Sequence, residues 1–215
     1  MTHTSSFPSA TSRRERRAAA RRADILDAAA AVFSQHGYEN ATTREIADRA
    51  DVSEGTLYNY FANKQALFLG VADAFADSLV AAIDDVAVED VENTMTRMFA
   101  DRFRSGRERR LLMMFLYKAR VDENGEQRSV HNAISRLVAA TEARVREAIE
   151  AGTMRPVNPA VAAATLNAAI MGFAILYELS SAIHGDSAES DNAAIPPELL
   201  GEAVTDIFLN GLSKN

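Results

Sequence analysis

Residues 42–61 read TTREIADRADVSEGTLYNYF, and their spacing describes two short helices joined by a tight turn. Thr42-Thr43-Arg44-Glu45 has the form of a capping box, in which Thr42 caps the N3 amide and Glu45 reaches back, so a helix is predicted to start here and to end near Ala50. Ser53 is the next N-cap, opening a second helix that runs to about Phe61. Ala50-Asp51-Val52 leaves room for nothing but a turn, which makes the pair a helix-turn-helix. Ile46, Ala47 and Ala50 face inward from the first helix, Val52 fills the turn, and Leu57 with Phe61 (i, i+4) anchors the second. At about 100° per residue, Glu54, Thr56, Tyr58, Asn59 and Tyr60 cannot all join them.

An ordinary solvated helix face would carry Glu, Lys and Gln, which are good helix formers. This one carries hydroxyls and an amide, which suit phosphate oxygens and base edges, and the small Gly55 lets the helix approach a groove floor. Around the motif, a preceding helix is predicted from about Arg16 to His36, with Ile25, Ala28, Ala29, Val32 and Phe33 as its apolar stripe. Gly37 stops it and Tyr38 follows as an anchor. Asn63 caps a fourth helix that continues past Leu67, Phe68, Val71 and Phe75. Lys64 stands in the first turn of that helix, where a cation opposes the macrodipole; beside the free amides of the turn it makes an anion site. Sideways packing of Tyr58 and simple solvation of Lys64 are the plainer readings of those two residues taken singly.

Residues 37–67, GYENATTREIADRADVSEGTLYNYFANKQAL, resemble the DNA-binding signature of the TetR family of transcriptional regulators. The likeness combines the Gly-aromatic stop, the Thr-Thr pair, Ile-Ala, Val-Ser, Gly-x-Leu-Tyr-x-Tyr-Phe and Asn-Lys-x-x-Leu. Asp51 departs from it where the family often has Gly, but Asp tolerates a left-handed turn better than most residues. The resemblance implies that Thr43, Tyr58, Tyr60 and Lys64 hold phosphates, and that Arg44, Gly55, Thr56, Glu54 and Asn59 lie at or beside base edges. The caps Thr42 and Ser53 complete the expected DNA-binding set.

Charge is distributed to match. The net charge of −7 comes from a basic start and an acidic body: residues 1–22 hold six Arg against Glu15 alone, whereas residues 65–215 hold 14 basic and 22 acidic side chains. Such asymmetry suggests that one end meets a polyanion. Residues 1–15 are expected to be a disordered basic arm following the neighbouring minor groove or backbone, an expectation that rests on charge alone. With no Cys and four scattered His there is no disulfide framework and no metal-ligand spacing, so neither cofactor nor metal is expected. The N-terminus lacks an apolar h-region, which predicts a cytoplasmic protein with no membrane partner.

Helical periodicity dominates the chain, and the fold class expected is all-α: an N-terminal three-helix helix-turn-helix DNA-binding domain over 16–82, plus a C-terminal helical bundle over 83–215 for ligand binding and dimerisation. Helices are predicted at about 90–104, 108–121, 126–151, 159–184 and 197–212. LLMMFLY in the second of these is apolar all round and should be buried. Met95, Met98, Phe99, Phe103, Met113, Met114, Tyr117, Ile170, Phe173 and Tyr177 are the candidate lining of a pocket for a small apolar or amphipathic effector; a solid core would use the same residues. Ala160, Ala164, Ala168 and Gly172 form a small-residue stripe, and Leu200, Val204, Ile207, Phe208 and Gly211 an amphipathic face. Packing within one chain would satisfy both; the resemblance implies a homodimer matched to a palindromic double-stranded DNA operator. No nucleophile, base and orienter constellation appears, and Asp122-Glu123 and Glu189-Asp191 read as solvated acids, so an enzyme is the weaker alternative. An architectural DNA binder without a ligand is the other. The combined expectation is a repressor released from its operator when a ligand enters the helical body.

Overall fold

A computed structural model describes residues 10–85, 106–120, 126–184 and Asp206, and every regular element among them is helical. Helices α1 (Ala10–Asn40), α2 (Thr43–Arg49), α3 (Glu54–Tyr60) and α4 (Lys64–Asp84) are followed by α5 (Gly106–Arg120), α6 (Glu126–Glu150) and α7 (Pro159–His184). The chain divides into two compact units, 1–71 and 72–215, so the boundary falls within α4, before the expected position at 82. The reason is the burial along that helix: Leu67, Phe68 and Val71 belong to the first unit, Ala76 and Ile83 to the second.

In the first unit, the head, α1 supplies Ile25, Ala29, Val32 and Phe33, and α2 and α3 add Ile46, Ala47 and Leu57. Phe33, Tyr38 and Phe68 form an aromatic triad with ring centroids 5.0 to 6.0 Å apart. Gly37 interrupts α1 as expected, at φ 73, so Tyr38 leaves the helix axis and turns back onto Phe33 and Phe68. At its other end α1 starts at Ala10 rather than near Arg16, which puts Arg13 and Arg14 on a helix instead of in an irregular arm. Ala and Arg are strong helix formers, and nothing between Ser12 and Ala20 breaks the run. Asp51 takes φ 51, the left-handed turn conformation that its short polar side chain tolerates.

The second unit, the body, is described by the C-terminal half of α4 with α5, α6 and α7. Val145, Ala148, Met154 and Ala162 make a core, with Ile149 and Val157 packed against it. Phe75 meets Phe115 at 5.7 Å. Arg136 on α6 pairs with Asp73 (3.3 Å) and Asp77 (2.5 Å) on α4, and Arg144 donates to the Ile83 carbonyl at 3.1 Å and to that of Asp84, capping the α4 C-terminus. By length and composition α4 could cross a membrane, but Leu67, Phe68, Val71, Ala72, Ala76 and Ile83 are core residues and Asp73 and Asp77 are ion-paired within the body.

The apolar run on α5 is not buried all round. Leu111 and Phe115 point inward, Met113 and Met114 are partly buried, and Tyr117 is 66% exposed, which removes it from the expected pocket lining. Tyr117 stands about 200° around the helix from Phe115, on the opposite face. Ile170 is partly buried; Met95, Met98, Phe99 and Phe103, and the side chains of Phe173 and Tyr177, lie outside what is described. The predicted helices at 90–104 and 197–212 do so too, except for Asp206, and with them Leu200, Val204, Ile207, Phe208 and Gly211. On α7, Ala163 and Leu166 are buried, whereas Ala164 and Ala168 are exposed and nothing lies within 4 Å of a Cβ placed on Gly172.

Candidate nucleic-acid interface

The capping box forms as its sequence predicts. The Glu45 amide donates to Thr42 Oγ1 at 3.2 Å, and Glu45 Oε2 accepts from the Thr42 amide (2.9 Å) and hydroxyl (2.8 Å). These bonds to Thr42 hold the Glu45 carboxyl below the usual glutamate range, side-chain bond first. The box fixes the direction in which α2 leaves Thr42, and so presents Thr43 and Arg44 on its outer first turn. Arg44 is exposed and Thr43 half-buried.

Across the turn, Ser53 caps α3, accepting from the Thr56 amide at 3.1 Å, and its hydroxyl also meets that of Thr56 at 2.9 Å. Leu57 is the only side chain of α3 that is fully buried. Glu54, Gly55, Tyr58 and Asn59 are exposed, while Thr56 and Tyr60 are half-buried. The two helices are tied together on this outer side: Thr43 Oγ1 donates to Glu54 Oε1 at 3.2 Å and lies 3.1 Å from the Tyr58 hydroxyl. With the Thr43 proton on the carboxylate, the Tyr58 phenol is the donor of the second bond, so the chain runs from Tyr58 through Thr43 to Glu54. Sequence spacing brings these three residues to one surface but does not reveal the link.

Gly55 has a non-positive φ, and a Cβ there would meet only Ser53 Oγ, at 3.9 Å. Among the described residues nothing requires glycine at that place. The absent side chain leaves this turn of α3 bare beside the hydroxyls of Ser53 and Thr56.

Lys64 is where the geometry departs most from expectation. Its ammonium is half-buried and donates to the carbonyls of Glu39 (3.0 Å) and Ala41 (2.9 Å), 4.7 Å over the ring of Tyr38. Two of its three N–H groups are thus committed to the segment that leads into Thr42, and one is left for any further acceptor. The wrong-signed cation at the start of α4 is compensated by carbonyls at the end of α1. The first turn of α4 is capped by Asn63, whose Oδ1 accepts from the Ala66 amide at 2.8 Å. Tyr38, Glu39 and Ala41 were not among the expected site residues; the signal for Tyr38 was the Gly-aromatic pair, but the two carbonyls have none. Among the described residues no group of His, Cys, Asp or Glu could hold a metal ion.

Comparison with known proteins bears on the head. Residues 25–71 match the family model described as bacterial regulatory proteins, tetR family. Over 78 residues the chain is 36% identical to the HTH-type transcriptional repressor KstR2 of Mycobacterium tuberculosis, a match covering 36% of this chain and 38% of that protein. Over 63 residues it is 44% identical to the HTH-type transcriptional activator FasR of Mycolicibacterium smegmatis, covering 29% of each. The match thus spans less than two-fifths of either relative. The fold extends further: the transcriptional regulator FadR from Bacillus subtilis, solved in complex with stearoyl-CoA, superposes with a TM-score of 0.64 over 88% of this chain and 98% of its own, at 17% identity.

The capping box makes a pH prediction. Because the folded-state pKa of Glu45 is lowered, its contribution is fully present above the ordinary glutamate pKa and is lost as pH falls through the folded value. Unfolding midpoints measured between about pH 6 and 3 should therefore fall less steeply in Glu45→Gln, which retains the acceptor oxygen without the titration. Parallel curves for the two proteins would show that the box does not couple to head stability.

Proposed function

We propose, for a chain whose residues 25–71 form a tetR-family head, that it is a homodimeric transcriptional regulator, a repressor that leaves a palindromic operator when a small apolar or amphipathic ligand binds its body. The observation that carries this reading is the outer surface of α2 and α3, where Thr43, Glu54 and Tyr58 are bridged beside the bare Gly55. Helix α3 is narrow enough to enter a major groove, and a DNA duplex supplies both phosphates for the hydroxyls and base edges for the exposed Arg44 and Asn59 and the half-buried Thr56. In this reading Thr43, Tyr58 and Tyr60 hold phosphates, with the Tyr58 proton turning from Thr43 to a phosphate oxygen on binding. Lys64 supports them from behind through Glu39 and Ala41, with its remaining N–H available to a phosphate.

Dimerisation is supported by the exposed face of α7. Ala164, Ala168 and the open space at Gly172 allow close helix approach, and Val161 (63% exposed) and Leu176 (61%) offer apolar surface beside them. A two-fold dimer would present two α3 helices one DNA turn apart. The neighbour solved with stearoyl-CoA supports a ligand-binding body in the same fold; KstR2 supports repression, while FasR is an activator on a similar head. Release follows from linkage: the ligand must favour the conformation whose heads no longer fit successive grooves, and α4, continuous from head to body, is the lever. Such a protein works in the cytoplasm and needs no catalytic residue.

Arg44→Ala should cost about 1–3 kcal/mol on a duplex selected from a random pool and much less on a scrambled one, relaxing preference at one position per half-site. Equal losses on both would make Arg44 a backbone clamp, and unchanged binding would remove this surface from DNA recognition. Ala168→Glu, at an exposed position that leaves the fold intact, should give monomers that bind the selected duplex on the order of 10²-fold more weakly. A dimer in sedimentation at normal affinity would move the interface elsewhere.

A further inference from the structure

Helix α1 extends well past the core it serves. The first fully buried residue on it is Ile25, whereas every residue from Arg13 to Asp24 is exposed, so the helix overhangs the head by about 15 residues or ~22 Å. The overhang carries six arginines. Arg21 pairs with Asp24 at 3.9 Å, and Arg22 stacks 5.0 Å over the ring of Phe61, the residue that ends α3. A Cβ on Gly70 would meet Leu26 and Phe61, with the Arg22 guanidinium at 3.7 Å, so the root of the overhang is seated against the C-terminal end of the reading helix. Arg13, Arg14, Arg17 and Arg21 fall within about 100° of one another around the axis and make a continuous stripe.

For the isolated chain this is a poor arrangement. The first turn of α1 has no acidic residue, and guanidinium groups crowd the end where the macrodipole is already positive. A helix of this length gains little from propensity alone. A polyanion reverses both effects, since phosphates complement the stripe and the positive end together.

We propose that the overhang of α1 is a second DNA-contacting element, a rigid basic helix that lies along the phosphate backbone beside the base pairs read by α3 and holds phosphates through Arg13, Arg14 and Arg17. This rests on the DNA-binding reading of the head and corrects the expected arm within it. A helix 10–12 Å across does not enter a minor groove about 6 Å wide, so the contact is to backbone phosphates and carries affinity but no base preference. From Arg22 to Ala10 is ~18 Å, roughly five phosphates along one strand.

The test uses the full chain on a duplex selected from a random pool and on its scrambled counterpart, across several salt concentrations. Replacing Arg13, Arg14 and Arg17 together by Gln should make the slope of log K against log salt shallower by about 2 to 3 on both duplexes and weaken binding roughly 10²-fold at 0.1 M salt, with base preference unchanged. Ala19→Pro keeps every charge but breaks the overhang, at an exposed position outside the core, and should also lower affinity and slope while the melting temperature of the head holds. An unchanged slope in the triple variant overturns the proposal. Wild-type binding by Ala19→Pro overturns the rigid helix in favour of an extended arm. A wild-type chain that selects no duplex overturns the DNA-binding reading itself, and this inference with it.

Discussion

A seven-residue helix that buries one side chain cannot position itself, and the head is organised around that constraint. Leu57 is the one side chain that α3 buries, and a single buried side chain leaves rotation about the helix axis unspecified. The rest of the orientation comes from outside α3. Asp51 at φ 51 sets the angle at which the chain leaves α2, Ser53 fixes the first turn, and the Thr43–Glu54–Tyr58 bridge locks the outer faces of the two helices together. The same shortage of buried residues leaves most of α3 for a partner.

Behind this surface, Lys64 extends the argument to α1 and α4. Its bonds to the carbonyls of Glu39 and Ala41 tie the beginning of α4 to the segment that enters the capping box, and Tyr38 receives the ammonium on its ring face while packing on Phe33 and Phe68. At its other end α4 is held by Arg136 and Arg144 of α6, through two carboxylates and two terminal carbonyls.

Much of the head was legible in sequence because its determinants are local. The capping box needs residues three apart, the turn needs one residue that accepts positive φ, and Leu57 and Phe61 need only helical spacing; all three formed as read. What could not be read depends on distance along the chain or on missing punctuation. Lys64 finds its carbonyls 23 and 25 residues away, whereas local spacing shows only the anion site at its own first turn. A run of Ala and Arg has no stop signal, so the early start of α1 cannot be read from it, and an all-apolar stretch does not reveal that Tyr117 faces away from the core.

The outer surface of α2 and α3 is proposed as the DNA-reading surface of the chain. Backbone amide shifts followed while the selected duplex is titrated into the labelled protein test it most directly. Changes should concentrate at residues 42–44 and 53–60 and saturate on the selected duplex at a salt concentration where a scrambled one gives none. Shifts confined to the body, or equal shifts with both duplexes, would contradict it.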